Sequence, residues 1–177
     1  DILRDYVLEK YPNNKTAQDQ HAALTATKDK VKLPYELWSM DKIKPTTNAL
    51  TKFKEKYSEP FVISAKLDGI SALYSTEEAT PHLYTRGDGK YGQSIDHLIE
   101  HLKLPETKNI TLRGELIIKE KLFQDKYSEQ FSNSRNFISG IVNKKKLSDK
   151  DIEIIKDIDF VAYEVIKPEG LEPSKQF

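Results

Sequence analysis

The segment 109–118 constrains the fold of this chain more than any other, because apolar and polar side chains alternate along it. Its apolar residues at even-numbered positions, from Ile110 to Ile118, share one face of a β-strand, whereas Arg113 and Glu115 share the other. The segment therefore predicts a sheet with one apolar face and one polar face. The two charges form either an exposed ion pair, which is the commoner case, or the rim of a polar site.

The remaining pattern favours an α+β fold, in which mainly antiparallel sheets carry inserted helices. The predicted strands are 61–66, 70–75, 82–86, 109–118 and 159–166, and the predicted helices are 94–102, 120–131 and 134–143, with a further helix after Thr46 and Thr47. Because the strands come in hairpins and the helices are inserted irregularly, a doubly wound parallel sheet is not expected. Residues 2–7 and 16–27 have weaker helical spacing and predict a helical lead-in.

The composition says more about the cellular setting of the protein than about its binding partners. The 28 basic residues balance 28 acidic ones, so net charge indicates no nucleic-acid partner, although a local basic patch is compatible with this balance. The absence of cysteine excludes disulfides and thiolate zinc sites and fits a reducing, intracellular and cytoplasmic setting. No apolar run has the length of a membrane span, so we expect no membrane partner.

Two histidines, His97 and His101, have the four-residue spacing that metal sites use on a helix. A catalytic metal site needs about three protein ligands, and the sequence offers no third ligand nearby. We therefore expect no metal ligands in this chain.

Lys66 is the first candidate for covalent chemistry. It lies at the end of the predicted strand 61–66, is flanked by apolar residues, and is followed by Gly69. Burial at such a position favours the neutral amine of a lysine, and a neutral amine is a nucleophile towards phosphorus or carbonyl centres. The competing interpretation is an ordinary solvated surface lysine.

The segment from Thr85 to Gly92 is rich in glycine and begins with an arginine, Arg86. Glycines let the backbone approach a bound group closely, and the fork of an arginine suits a phosphate. The segment therefore predicts either a phosphate-binding loop or an ordinary hairpin turn.

Taken together, the motifs of the chain resemble the nucleotidyltransferase (adenylation) domain of NAD-dependent DNA ligases. The similar elements are Trp38-Ser39-Met40-Asp41, Lys66-Leu67-Asp68-Gly69, Thr85-Arg86-Gly87-Asp88-Gly89, Arg113-Gly114-Glu115, Phe131-Ser132-Asn133-Ser134-Arg135-Asn136 and Phe160-Val161-Ala162-Tyr163. The loop after Thr85 and the start of the helix at Ser134 point to the NAD-dependent branch. The resemblance covers most of the chain and implies the α+β fold of the covalent nucleotidyltransferases, an ATP-grasp-like DNA ligase fold.

The resemblance implies a catalytic group of four residues. Lys66 is expected to attack the α-phosphate of NAD and to hold AMP as a phosphoramide, with Asp68 helping to position the lysine. Arg86 is expected near the phosphate and Glu115 at the ribose. Magnesium is expected to screen the charge of the phosphates during transfer.

The resemblance also implies binding residues for the nucleotide and for nicked double-stranded DNA. Ser39 and Met40 are expected to line the adenylate pocket, and Tyr163 is expected to stack on adenine. Arg135 is expected to serve the 5′-phosphate of the nick. The run Lys144, Lys145 and Lys146 is either a source of non-specific phosphate contacts or a solvated helix end. The implied enzyme is a DNA ligase of replication or repair, which forms phosphoric ester bonds.

The sequence departs from the family at Ser64, where the family has a glutamate that recognises adenine, and at Asn143, where the family has a second arginine. Residues 1–32 also do not show the Tyr-and-Asp pattern by which the family's N-terminal module holds the nicotinamide nucleotide. This difference and Ser64 leave an ATP-dependent DNA or RNA ligase as an alternative, and a catalytically inert binding module is a further one. The family's Asp-Gly-Val-Val-x-Lys element does not follow the last predicted strand, so we expect a fragment of a longer ligase, with a compact, divergent relative as the alternative. In it, 1–45 form the lead-in and the start of the adenylate pocket, and 46–177 form the N-terminal and central part of the adenylation domain. The oligomeric state is left open.

Overall fold

The computed structural model describes residues 9–11, 30–44 and 46–176. The chain divides into two compact units, Asp1–Lys30 and Val31–Phe177. Glu9 and Lys10 are helical. The two segments predicted to form the helical lead-in, residues 2–7 and 16–27, lie outside the described residues. A division of the chain at residue 45 stays a prediction.

The fold contains a four-stranded antiparallel sheet and a small two-stranded sheet, which position the residues of the candidate site. The strands are β1 (Lys30–Lys32), β2 (Ile70–Ser75), β3 (His82–Thr85), β4 (Tyr91–Gln93), β5 (Thr111–Ile117) and β6 (Asp159–Lys167). The large sheet has the order β3-β2-β5-β6, and β1 pairs with β4. In the large sheet Glu115 lies opposite Ser71 on one side and opposite Val161 on the other. The mixed α+β class with antiparallel pairing is therefore confirmed.

The helices of residues 46–176 are α1 (Ala49–Lys56), α2 (Glu120–Lys126), α3 (Ser134–Val142) and α4 (Asp149–Ile155), with short 3₁₀ segments at Asp96–His101 and Pro173–Lys175. Helices α2, α3 and α4 bury residues in the core on one face of the large sheet, whereas α1 has no buried residue. The apolar stripe of α3, which includes Phe137 and Ile138, is completely buried against Leu116 and its neighbours on the sheet. The sheet thus presents its opposite face, with Glu115, away from this core. Among the described residues, no helix is long and apolar enough to cross a membrane.

The structure corrects several sequence predictions about elements, including the helix predicted at 120–131, which ends at Lys126. Residues 61–66 are not a strand, because a strand needs a hydrogen-bonded partner, and this segment is exposed, with Ile63 exposed by 92%. The helix predicted at 94–102 is a shorter 3₁₀ segment, since the Asp96 carboxylate bonds Leu83 N and the His82 ring instead of capping a helix. The sequence reading also missed α4, whose start is fixed by a reciprocal capping box between Ser148 and Asp151.

Candidate active site

A cavity of about 150 Å³ lies beside the polar face of the large sheet. Its lining includes Met40, Ser64, Lys66, Arg86, Glu115 and Tyr163, which come from five segments of the chain, since Ser64 and Lys66 share one. Five of these six, all except Ser64, were candidates from the sequence. The fold thus brings a lysine, an arginine, a carboxylate and a phenol into one small space, which suits a phosphorylated nucleotide.

Glu115 is the fixed anionic point of this cavity. The residue is 5% exposed, its Oε2 accepts from Ser71 Oγ at 2.9 Å, and its Oε1 accepts from the backbone N–H of Gly69 at 3.3 Å. Both donors lie at the beginning of β2, so the carboxylate ties this strand end to β5. A carboxylate has about four acceptor positions, and these two bonds leave it further capacity towards the cavity.

Lys66 lines the cavity from the irregular segment 61–68, and its side chain is exposed. The prediction of a desolvated lysine at a strand end is therefore wrong in both respects. The segment lacks strand partners among the described residues, and the cavity wall covers the lysine only in part. The amine is accessible to a bound phosphate from the solvent side.

Asp68 contacts Arg135 and is not part of the cavity lining. Asp68 Oδ1 lies 2.9 Å from Arg135 Nε, and the two side chains are exposed by 77% and 47%. This ion pair joins the segment that carries Lys66 to the first turn of α3. The structure therefore brings together a residue expected to position Lys66 and a residue expected to meet DNA.

Arg86 links the glycine-rich loop to the segment that carries Ser39. Its Nη1 donates to Ser39 Oγ at 3.0 Å, and the carbonyl oxygen of Gly89 accepts from Leu37 N at 2.8 Å. Gly89 has a φ of +99°, and a Cβ there would lie 3.2 Å from the Leu37 carbonyl oxygen, so this close approach requires glycine. Ser39 thus acts on the cavity through Arg86, whereas Met40 lines it directly.

Arg113, which the sequence placed either in an ion pair with Glu115 or at the rim of a polar site, bonds instead to Glu164 and Glu36. Its Nη1 donates to Glu164 Oε2 at 2.6 Å, and its Nη2 donates to the backbone carbonyl of Glu36 at 2.7 Å. These bonds hold the segment 33–40 against β5 and β6. The sequence did link Arg113 to the site, because this residue lies two positions before Glu115 on the same face of the strand.

Tyr163 supplies an aromatic wall from β6. Burial raises the pKa of its phenol above the ordinary value, and the negative charge of Glu115 raises it further. The side chain therefore stays neutral at physiological pH, and it lines the cavity.

The lysine run lies in the exposed turn that follows α3, outside the cavity lining. Lys144 Nζ lies 2.7 Å from Asp151 Oδ1, so this lysine is bound to the start of α4. Lys145 and Lys146 are exposed. In the part of the chain that the structure describes, no group of three or more His, Cys, Asp or Glu side chains could hold a metal ion.

Comparison with known proteins gives a consistent result. A family model described as NAD-dependent DNA ligase adenylation domain matches residues 26–176. The chain is 43% identical over 175 residues to a DNA ligase of Acanthamoeba polyphaga mimivirus, and the matched region covers 95% of this chain and 27% of that protein. It is 38% identical over 139 residues to the putative DNA ligase 205R of Invertebrate iridescent virus 6, covering 77% of this chain and 22% of that protein. The chain therefore spans about a quarter of the length of the curated relatives it matches.

Proposed function

Since this chain belongs to the NAD-dependent DNA ligase adenylation domain family, we propose that it carries the lysine that accepts AMP from NAD⁺ during DNA ligation. The observation that supports this most is the convergence of Lys66, Arg86, Glu115 and Tyr163 on one cavity. A structural role alone does not require a lysine, an arginine, a carboxylate and a phenol to face the same space.

In the first step, the neutral amine of Lys66 attacks the α-phosphorus of NAD⁺. A P–N bond forms as the bond from that phosphorus to the bridging oxygen of the pyrophosphate breaks, and nicotinamide mononucleotide leaves with this oxygen. The lysine proton passes to solvent, which reaches this exposed side chain. Arg86 offsets negative charge on the phosphate, and Glu115 accepts hydrogen bonds from the ribose.

In the following steps, AMP passes from Lys66 to the 5′-phosphate of nicked DNA, and the 3′-hydroxyl then displaces AMP to seal the strand. Arg135 and the lysine run 144–146 are the proposed phosphate contacts of this chain, because they are exposed cations near the ends of α3. These later steps belong to a complete ligase, and this chain matches about a quarter of the length of its ligase relatives. An enzyme of this kind acts on DNA inside the cell.

Magnesium is expected to bind through the phosphates of the nucleotide rather than at a site built by this chain. The described residues contain no group of three or more His, Cys, Asp or Glu side chains that could hold a metal ion. Mg²⁺ commonly binds through substrate phosphates and water. We assign no protein-built magnesium site, and no step above depends on one.

The test is intact mass spectrometry after incubation with magnesium and either NAD⁺ or ATP. We expect the mass to rise by one AMP with NAD⁺, with the adduct mapped to Lys66, and no rise for Lys66→Ala. Lys121→Ala is the matched control, since Lys121 is an exposed lysine on α2 outside the cavity. An adduct on another lysine would contradict the assignment of Lys66 as the acceptor of AMP. No adduct with either nucleotide would contradict the proposal and favour the inert binding module.

ATP is the second candidate AMP donor, since Ser64 departs from the residue that the resemblance to the NAD-dependent branch implies. Ser64 lines the cavity at the position where the resemblance implies an adenine-reading glutamate. The base is therefore recognised differently here, and the same mass experiment separates the two donors. An adduct with ATP alone would assign the chain to the ATP-dependent ligases.

A further inference from the structure

Trp38 is an exposed aromatic residue at the cavity to which the steps above give no role. It is the only tryptophan of the chain, lines the cavity, and is 59% exposed. An exposed indole gains little for folding stability, because its apolar surface stays in water. Its presence at the mouth of a ligand-sized cavity therefore calls for a contact that forms on binding.

The ring of Trp38 is held in place despite its exposure. Its Nε1 donates to Glu36 Oε2 at 2.6 Å, and Lys90 Nζ lies 5.4 Å from the ring centroid in a cation–π contact. Lys90 Nζ also lies 3.9 Å from Glu36 Oε1, and the ring edge lies beside Gly89. Glu36 is itself fixed through its carbonyl by Arg113. The indole is therefore oriented before a ligand arrives, which lowers the entropic cost of binding.

Two aromatic side chains border the cavity. Trp38 lines it from the segment 33–40 and Tyr163 lines it from β6. A flat base that enters this space therefore has aromatic surface available from two separate elements.

We propose that Trp38 is a second aromatic contact for the adenine base and sets the affinity for the nucleotide, an inference that rests on the proposed function. Adenine is favoured over the nicotinamide of NAD⁺ because adenine is neutral, whereas nicotinamide is cationic there. Arg86 lines the cavity and the Lys90 ammonium lies over the Trp38 ring, so a cationic ring is disfavoured there relative to a neutral one. Stacking on Trp38 also supplies base affinity at a cavity where Ser64 replaces the expected glutamate.

The single tryptophan makes the test direct. Lys66→Ala, which cannot form the adduct, is titrated with AMP and separately with nicotinamide mononucleotide while tryptophan fluorescence is recorded. We expect saturable quenching by AMP and little by nicotinamide mononucleotide. Quenching by nicotinamide mononucleotide alone would overturn the assignment to adenine, and no quenching by either would overturn the contact.

A second measurement uses the rate of AMP adduct formation in the otherwise unchanged chain. We expect Trp38→Ala to raise the half-saturating NAD⁺ concentration about tenfold, which corresponds to ~1.4 kcal/mol of base stacking. The maximal rate should change little, because the ring does not touch the reacting phosphorus. Trp38→Phe should recover most of the affinity, and Tyr57→Ala, an exposed aromatic outside the cavity, should have no effect.

These outcomes separate the inference from the proposed function. If the wild-type chain forms the Lys66 adduct while Trp38→Ala keeps its NAD⁺ affinity, the function stands and the role of Trp38 is wrong. If no adduct forms with either donor, the function fails, and the AMP titration still decides whether Trp38 contacts a base. If Trp38→Ala does not fold, Trp38→Phe and the titration, which needs no substitution at this position, carry the test.

Discussion

The side chain of Arg113 holds the backbone of Glu36, since its Nη2 donates to the Glu36 carbonyl oxygen at 2.7 Å. The same guanidinium binds Glu164 on β6 at 2.6 Å. One residue of the central strand therefore sets the distance between the large sheet and the segment that carries Trp38 and Met40. The shape of the cavity depends on this connection.

Arg113→Lys should weaken both the fold and nucleotide binding. A lysine ammonium cannot donate in two fixed directions as a guanidinium does, so at least one of the two bonds is lost. We expect a decrease of about 2 kcal/mol in the free energy of unfolding, measured by urea denaturation, because both bonds involve a charged donor. Lys121→Ala, which removes an exposed ion pair, should change stability by less than about 0.5 kcal/mol. Equal effects of the two variants would contradict this role.

Glu115→Ala should abolish most adduct formation, whereas Ser71→Ala should affect it only slightly. Removing a preorganised polar group from a reaction site typically costs about 100-fold in rate. Ser71 supplies one hydrogen bond to Glu115 and is worth about 1 kcal/mol, or about fivefold. The rates are followed by the appearance of the AMP adduct. A large loss in Ser71→Ala would mean that the orientation of Glu115, rather than its charge, limits the reaction.

Gly69→Ala and Gly140→Ala form a matched pair with opposite expected signs. A Cβ at Gly69 would lie 2.0 Å from the carbonyl oxygen of Leu116, so β2 and β5 must separate locally, and we expect a loss of about 3 kcal/mol or more. At Gly140, inside α3, the nearest atom to a Cβ is Phe131 Cε1 at 3.8 Å. Alanine there should stabilise the protein by up to about 1 kcal/mol through helix propensity. Thermal unfolding of both variants decides the sign.

Asp151 should make the protein sensitive to acid. The hydrogen bond from Lys144, with further bonds from Ser148, lowers the pKa of Asp151 from 3.8 to about 2. Because the folded-state pKa lies below the unfolded value, the carboxylate stabilises the fold above pH 3.8, and this contribution is lost as the pH falls through about 2. Urea midpoints between about pH 4 and 2 should therefore fall more steeply for the wild type than for Asp151→Asn. Asp125→Asn, at an exposed position, should leave the slope unchanged.

Arg135→Ala should lower the salt dependence of binding to nicked DNA. Each phosphate contact that is lost reduces the slope of log K against log salt by about one unit. Asp68→Asn removes the partner of Arg135 without removing the cation, so it should not reduce this slope. The slopes are obtained from binding titrations at several salt concentrations, with Lys121→Ala as the control. An unchanged slope in Arg135→Ala would exclude a phosphate contact.

The sequence predicted elements whose residues carry their own pattern. The strand at 109–118 and the helix at 134–143 were predicted correctly because their buried faces repeat at the period of the element. The segment 61–66 has the same alternation but no hydrogen-bonded partner in the described structure, and pairing is not encoded locally. The missed helix α4 had a local signal in Ser148 and Asp151, which have the spacing of a capping box.

The candidate site was predictable as a set of residue types, not as a geometry. The motifs identified Lys66 and Glu115, and both line the cavity. The contacts of Arg113 with Glu36, and of Asp68 with Arg135, join residues far apart in sequence. Such contacts depend on how the loops cross the sheet, and the hydrophobic periodicity of the sequence contains no information about that.

The irregular course of residues 61–68 has a mechanical consequence for Lys66. The lysine lies three residues before Gly69, the first backbone donor tied to Glu115. Three residues extend over roughly 10 Å. Among the described residues, the side-chain contact that ties this stretch to another element is the exposed ion pair of Asp68 with Arg135, which is worth about 1 kcal/mol at most. The AMP proposed to bind Lys66 would therefore be carried by a short, weakly restrained segment that is anchored at Gly69 to the sheet.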